Sequence, residues 1–395
     1  MLSIGGEMIR RDKYIRQITP FIGKDIIKVI TGIRRSGKSV LLKMLIEDIA
    51  IPEKSIYINF ESRKNIHLRD RDVLYDEITR RIQEDTKWYL FFDEIQEVDG
   101  WEEVINSFRV DFDVDIYITG SNAKLLAGEL ATAISGRYVQ FVVYPLSYTE
   151  FNQLTEKDFS AYLKFGGMPF VGELIHDEGA VELYLEDIYN SVVLKDVVRR
   201  YNIRDVDLLD RIIIYAFDNI GQAFSATSIS KYFKNQKRKV STDTVLNYLK
   251  ACEEAYLFYR IKWEDIKGKK ILDLAEKYYV ADHGLRAAIL GRTMSDIGQI
   301  LENIVCLELL RRGYDVTIGS IDGYEVDFIG KRADEMIYIQ VSYLMTDKET
   351  QDREFGNLLQ INDNFPKYVI SMDNVNMSQS GIKHLHVEEF LKIEL

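Results

Sequence analysis

The sequence predicts an α/β protein in three parts. Residues 1–150 read as a mostly parallel sheet flanked by helices. Residues 151–291 read as a helical region with a winged helix-turn-helix, and residues 292–395 as an α/β domain with mixed strands. Three observations carry this reading. Short apolar runs alternate with amphipathic stretches from Asp25 to Pro145, the signature of strand–helix–strand crossovers. A glycine-rich turn at residues 32–39 joins the first apolar run to the first amphipathic stretch. From Phe151 the periodicity turns helical, and after Gly298 it returns to short alternating runs.

In the first part the strands are expected at Ile26–Ile30, Ser55–Phe60, Trp88–Phe92, Asp115–Thr119 and Tyr138–Val143. The helices are expected at Lys38–Ile49, Asp70–Gln83 and Trp101–Phe108. In the second part, helical periodicity runs through Val181–Val198, Leu208–Asn219, Ser225–Phe233 and Thr242–Ala251. Two β-like runs follow at Leu257–Trp263 and Lys277–Ala281. The third part opens with a helix, Ile300–Arg312, followed by strands at Asp315–Ile318, Tyr324–Ile329, Ile337–Val341 and Tyr368–Ser371.

Composition narrows the class. A chain of 395 residues with 46% hydrophobic and 29% charged residues has enough apolar surface for a sizeable core and is not disordered. A net charge of -12 excludes a uniformly basic nucleic-acid coat, though not a local basic patch. Cys252 and Cys306 cannot form a disulfide framework and read as buried apolar residues. The N-terminus lacks a secretory pattern and no apolar run reaches the length of a membrane span. The expectation is a soluble, cytoplasmic protein with no membrane partner.

The glycine-rich turn, Gly32-Ile33-Arg34-Arg35-Ser36-Gly37-Lys38-Ser39, matches the phosphate-loop pattern G-x-x-x-x-G-K-[ST]. Its place between a strand and a helix is where backbone amides and a helix N-terminus, here with Val40 in its first turn, can hold phosphates. Lys38 is expected to reach the β- and γ-phosphates, and the Ser39 hydroxyl to ligate Mg²⁺. The run Trp88–Phe92 then ends in Asp93-Glu94. Ligands bind beyond the C-terminal ends of parallel strands, so both acids are expected at the nucleotide. Asp93 would hold Mg²⁺ and Glu94 would orient the attacking water. A third run, Asp115–Thr119, ends in Gly120-Ser121-Asn122, and Thr119, Ser121 or Asn122 is expected to bond the γ-phosphate or the water.

In this order the three signatures resemble the AAA+ superfamily of ATPases. Gly32-Ile33-Arg34-Arg35, Asp93-Glu94-Ile95-Gln96, Thr119-Gly120-Ser121, Ser135-Gly136-Arg137, Pro145-Leu146-Ser147, Gly166-Gly167-Met168-Pro169 and Tyr278 to Gly284 resemble one prokaryotic branch whose members carry a C-terminal domain of unknown function. The resemblance implies ATP and Mg²⁺ as ligands, ATP hydrolysis, and a strand order of 5-1-4-3-2. It also implies that Arg137 is an arginine finger; if it acts in trans, the active unit is a homo-oligomer. Arg34 and Arg35 flank the phosphates in sequence, where either a nucleotide or subunit contact or a surface ion pair is open.

The helices Ser225–Phe233 and Thr242–Ala251, followed by β-like runs, resemble a winged helix-turn-helix, with Thr242, Thr244, Asn247 and Tyr248 expected to face a DNA groove. Between residues 225 and 270 eleven basic residues stand against five acidic ones, a local surplus suited to phosphate contacts. A protein partner on a solvated basic face is the other reading of this region. In the third part Glu302, Asp327 and then Gln340-Val341-Ser342 follow the order of a restriction-endonuclease-like site. The closing acid-x-lysine is replaced, so the expectation is a degenerate nuclease fold that serves docking or DNA binding. His384 and His386 alternate on an expected strand. The function expected is an ATPase coupling its nucleotide state to a DNA-binding or interaction module. The alternatives are a slow nucleotide-gated switch for a protein partner and an ATP-dependent nuclease.

Overall fold

The computed structural model describes the chain except residues 1, 2, 5, 6, 50, 83–85, 124–135, 269, 394 and 395. Ser135, Lys269 and the end of the expected helix at Gln83 therefore lie outside the described residues. The chain divides into two compact units: one of residues 1–145 with 254–256, the other of 146–253 with 257–395.

The first unit is built on five parallel strands: β1 (Ile27–Thr31), β2 (Ser55–Asn59), β3 (Trp88–Asp93), β4 (Val114–Gly120) and β5 (Tyr138–Val142). Their order is β5-β1-β4-β3-β2, the order implied by the resemblance. β1 pairs with β4 at Lys28 and Tyr117 and with β5 at Ile27 and Tyr138. Every residue of β1 and β4 is buried, which is why these runs read as mainly apolar, with Lys28 and Asp115 as the charged exceptions. Helices α1 (Asp12–Ile18) and α2 (Lys38–Ile49) cover one face, through Ile15, Leu41, Leu42 and Leu45 against Ile30, Phe91 and Phe141. Helices α3 (Arg71–Arg81) and α4 (Trp101–Asp111) cover the other, through Leu74, Ile78, Ile105 and Phe108. Asp70 starts α3 by accepting the amides of Asp72 and Val73. Near the lower edge the buried Lys28 ammonium is paired with the buried Asp115 carboxylate, which also accepts the Tyr117 hydroxyl at 2.9 Å.

The second unit opens with α5 (Tyr148–Thr155), α6 (Phe159–Phe165) and α7 (Glu178–Ser191). Ser147 and Glu150 form a reciprocal cap on α5, giving the Pro145-Leu146-Ser147 stretch a local structural role. The expected uninterrupted helix Val181–Val198 becomes π-helical at Val192–Arg199. The wider turn buries Val192, Val193, Val197 and the Asp196 carboxylate, which pairs with Arg200 at 3.4 Å.

Next come α8 (Val206–Asp218), β6 (Ala223–Phe224), α9 (Ala226–Asn235), α10 (Thr242–Glu254) and the antiparallel pair β7 (Phe258–Asp265) and β8 (Lys270–Val280). Then follow α11 (His283–Leu290), α12 (Ile297–Arg311), β9 (Asp315–Ile321), β10 (Tyr324–Arg332), β11 (Glu335–Val341), α13 (Lys348–Leu359), β12 (Lys367–Ser371), β13 (Lys383–His386) and α14 (Val387–Lys392). The strands form one eight-stranded sheet, β13-β12-β11-β10-β9-β7-β8-β6, in which β7 and β9 pair in parallel at Trp263 and Ile318.

Asp282 accounts for two of the sequence stretches quoted above. One carboxylate oxygen caps α11 by accepting the Gly284 and Leu285 amides at 2.9 and 3.2 Å, and the other accepts the Gly167 amide at 2.6 Å. A Cβ on Gly166 would collide with that carboxylate, and one on Gly167 with the Leu146 carbonyl. His283 completes the lock, its Nε2 lying 2.7 Å from the Tyr162 carbonyl. No helix among the described residues is long and apolar enough to cross a membrane. Cys252 and Cys306 are free and buried.

Candidate nucleotide site

The loop of residues 32–39 leaves the C-terminal end of β1 and enters α2. Its shape needs small residues at two points. Gly32 has φ 140° and its Cβ position is filled by the Val143 carbonyl oxygen, so a side chain is sterically excluded there. Gly37 has φ 101°. Lys38 is buried, and its ammonium donates to the Gly32 and Ile33 carbonyls at 2.9 and 3.0 Å, closing the loop on itself.

β3 lies two strands from β1, with β4 between them, and its last residue, Asp93, is fully buried. Four side chains converge on its carboxylate. Ser39 and Thr119 donate to Oδ1 at 3.0 and 2.6 Å; Tyr57 and Asn59 donate to Oδ2 at 3.0 and 2.7 Å. Thr119 also accepts the Glu94 amide at 2.9 Å. Glu94 stands in the left-handed region with φ 57°, a conformation that turns the chain sharply after the strand and is sparsely populated away from glycine. Burial pushes the Glu94 carboxyl above its ordinary 4.5, while Lys38, Gln96 and Arg34 pull it down. Gln96 donates to one Glu94 oxygen. Burial, and then the Asp93 charge, also push the Tyr57 phenol upward.

The structure thus brings Gly32, Ser36, Gly37, Lys38, Ser39, Asp93, Glu94 and Thr119 to the C-terminal ends of three adjacent strands. Asn122 is buried just past β4, and Val40 is half-buried in the first turn of α2. Arg34 pairs with Glu61 at 2.9 Å, and Arg35 is exposed with φ 68°. Arg137 is not brought to this loop. It precedes β5, its carbonyl accepts the Ile27 amide at the start of β1, and its guanidinium approaches Asn106 at 3.5 Å. That is the opposite edge of the parallel sheet.

Sequence reasoning missed Tyr57 and Asn59, whose alternation on β2 puts both on one face. It also missed Arg11, fully buried, which donates to the Ser36 carbonyl at 3.1 Å. The donor set suits a nucleotide with Mg²⁺. A hydroxyl and a carboxylate oxygen 3.0 Å apart are hard donors of the kind Mg²⁺ selects. The Ser36 hydroxyl is buried inside the loop and has no hydrogen-bond partner among the described residues, leaving a donor for a phosphate oxygen.

In the second unit Glu302, Asp327 and Gln340 are neighbours. The Asp327 amide approaches Gln340 Oε1 at 3.4 Å, and the Val341 amide donates to Asp327 at 2.7 Å. A lysine missed in the sequence, Lys277 of β8, enters this group, pairing with Glu302 at 3.0 Å and with Glu325. Tyr279 donates to Glu302 at 2.6 Å. Among the described residues no group of three or more His, Cys, Asp or Glu is arranged to hold a metal ion. His384 bonds Ser371 through Nε2 at 2.8 Å and accepts the Met377 amide through Nδ1 at 3.2 Å.

On α10 the outward stripe is Asp243, Leu246, Asn247 and Lys250; Thr242, Thr244 and Tyr248 are half-buried. Of the four residues expected to face a groove, Asn247 alone is fully outward. Helical periodicity sets residues 243, 246, 247 and 250 opposite the buried Val245, Leu249 and Cys252. Arg238, counted in the basic surplus, pairs with Asp205 and Asp207 at 2.8 and 2.5 Å.

The sheet order, the loop and the acids at the strand ends define a P-loop ATPase domain of the AAA+ type. Residues 24–152 match the family described as AAA domain, and residues 156–296 match one described as Domain of unknown function (DUF8612). An uncharacterized protein of Haemophilus influenzae is 39% identical over 399 residues, covering 97% of this chain and 98% of its own length. An uncharacterized protein of Methanocaldococcus jannaschii is 32% identical over 401 residues, covering 94% and 84%. The chain belongs to the family that these relatives represent, and its residues 24–152 carry the AAA domain. Among solved structures, a Walker-type ATPase of Pyrococcus abyssi shares the fold, with TM-score 0.51 and 15% identity over 71% of this chain and 96% of its own.

Proposed function

We propose that the protein binds ATP with Mg²⁺ at the loop of residues 32–39 and hydrolyses it, coupling the nucleotide state to the second unit as a DNA-binding or interaction module. The observation that carries this is the chain of contacts from Ser39 through Asp93 and Thr119 to Glu94. Lys38 turns from the loop carbonyls to the β- and γ-phosphates. Ser39 and Asp93 hold Mg²⁺, which when bound neutralises charge on the phosphates. Glu94 orients the attacking water, and Thr119 fixes its backbone. Arg137, at the far edge of its own sheet, would serve a neighbouring copy's nucleotide, so the active unit is a homo-oligomer.

DNA is the partner favoured by the β6–α9–α10–β7–β8 order and by the exposed Lys231, Lys234, Lys237, Lys239 and Lys250. A second reading, a nucleotide-gated switch for a protein partner, is favoured by one specific observation. The outward face of α10 carries Leu246, 46% exposed, beside the acid Asp243. Against the nuclease reading stands Gln340, a neutral amide beside Asp327 where a second metal-binding acid is expected. The test is ATP turnover of wild type and Glu94→Gln, with and without duplex DNA, across several protein concentrations. Turnover that rises with concentration and DNA and vanishes in the variant supports the DNA-linked ATPase. Bound ATP without turnover supports the protein-gating switch.

A further inference from the structure

The compact body of the phosphate loop includes three residues from far along the chain, Glu254, Ala255 and Tyr256. Tyr256 is 6% exposed and has φ 57°, a conformation rare for an aromatic residue. Its hydroxyl donates to Thr31 Oγ1 at 2.7 Å, and Gln140 Nε2 donates to both oxygens at 2.9 Å. Thr31 is the last residue of β1, directly before Gly32.

A second set of contacts holds the other side. The Thr31 carbonyl accepts the Val143 amide at 2.7 Å, and the Val143 carbonyl packs into the space beside Gly32. One residue on, Tyr144 is gripped at both backbone groups. Its amide donates to the Tyr14 hydroxyl, and its carbonyl accepts Arg11 Nη2, each at 3.1 Å. The same guanidinium, through Nη1, donates to the Ser36 carbonyl at 3.1 Å and lies 4.7 Å from the Tyr14 ring centroid. The loop is therefore held at its root by Tyr256 and at its turn by Arg11. The two segments so held, 143–145 and 254–256, are those at which the chain leaves and re-enters the first unit.

We propose that Tyr256 and Arg11 are positioning residues that tie the phosphate loop to the connecting segments 143–145 and 254–256, so that filling the loop changes the order of both segments. The inference rests on the reading of this loop as an ATP site. Its physical basis is that the Gly32 and Ile33 carbonyls now hold Lys38. When Lys38 turns to a phosphate those carbonyls are released, and the Thr31–Gly32 root and the Ser36 carbonyl re-form their contacts. Coupling requires such a contiguous element with two arrangements that the ligand distinguishes.

The experiment is hydrogen–deuterium exchange of the full chain with and without a non-hydrolysable ATP analogue and Mg²⁺, together with analogue affinity. In wild type the amides of Val143 and Tyr144, and of Ala255 to Leu257, should change exchange rate by about fivefold or more, the lower end of ordinary coupling. Tyr256→Phe should bind the analogue yet lose the change at 255–257, and Arg11→Lys should lose it at 143–144. Gln140→Met, which removes two of the three bonds from the other side, should repeat the Tyr256→Phe result and stands in for it if that variant does not fold. Analogue binding with unchanged exchange in wild type, or a full change retained in Tyr256→Phe and Gln140→Met, would overturn the inference alone. No saturable binding by wild type would overturn it together with the ATP reading.

Discussion

The Thr119 hydroxyl donates to Asp93 at 2.6 Å and accepts the Glu94 amide at 2.9 Å, so one side chain on β4 positions both acids at the end of β3. A hydrogen bond to a charged group contributes about 1.5–3 kcal/mol. Thr119→Val keeps the shape and removes the bond. Turnover should fall roughly ten- to hundredfold, since each 1.36 kcal/mol is about tenfold, while ATP affinity changes less. Steady-state kinetics of the variant decides it, and unchanged kcat would show that the hydroxyl only packs.

Lys38 should be the residue whose loss abolishes nucleotide-dependent stabilisation. A ligand that binds only the folded state raises the melting temperature, and goes on raising it with the logarithm of ligand concentration above Kd. Wild type should show a melting temperature that climbs with ATP and Mg²⁺, and Lys38→Ala should show none. An equal climb in the variant would move the binding site elsewhere.

In its proposed role Glu94 should set the acidic limb of turnover. Its carboxyl is raised above the ordinary 4.5 chiefly by burial. Only the ionised carboxylate is basic enough to polarise the attacking water, so turnover should rise with pH through a midpoint above 4.5. A pH–rate profile with its midpoint at or below that value would remove Glu94 from this role.

The core of the site is legible in the sequence because its chemistry is local. A parallel strand buried on both faces reads as an apolar run, and the glycines and acids that end such runs mark the ligand edge. That is why α2 is expected and found at Lys38–Ile49, and why Ser39 and Asp93 can be expected together. What depends on lateral order is not legible. Tyr57 and Asn59 reach Asp93 only because β2 pairs with β3. Arg11 and Tyr256 reach the loop from segments with no phosphate-loop signal, and the charge run Arg10-Arg11-Asp12-Lys13 gives no sign that one of its members is buried against the loop. The π turn at Val192–Arg199 reads as ordinary helix because its buried residues keep near-helical spacing.

Two histidines predict acid sensitivity. Burial lowers both His283 and His384 below the ordinary 6.5. Asp282 and Asp373 respectively oppose that shift. A folded-state pKa below the unfolded one means that the neutral ring stabilises the fold. That contribution is whole above the unfolded value and is lost as pH falls through the folded one. The melting temperature should drop as pH falls below the ordinary histidine value of 6.5, and less steeply in His283→Gln, whose amide can still donate to the Tyr162 carbonyl. Identical slopes would assign the acid sensitivity to other groups.

Lys277 makes the sharpest stability prediction. It is 4% exposed and is the partner of both Glu302 and Glu325, with the buried Asp327 close enough to act on it electrostatically. Removing one member of a buried ion pair leaves an uncompensated charge and costs about 3–5 kcal/mol, whereas replacing the pair by apolar or neutral groups is often near neutral. Lys277→Met should therefore destabilise the second unit severely. Lys277→Met with Glu302→Gln should recover part of the loss, because the carboxylate left behind is then neutral and its amide can still accept from Tyr279. Chemical denaturation of the two variants and of Glu302→Gln alone closes the cycle. Additive losses, with no recovery in the double variant, would mean that Lys277 packs as an aliphatic chain and that its charge does not hold the carboxylates together.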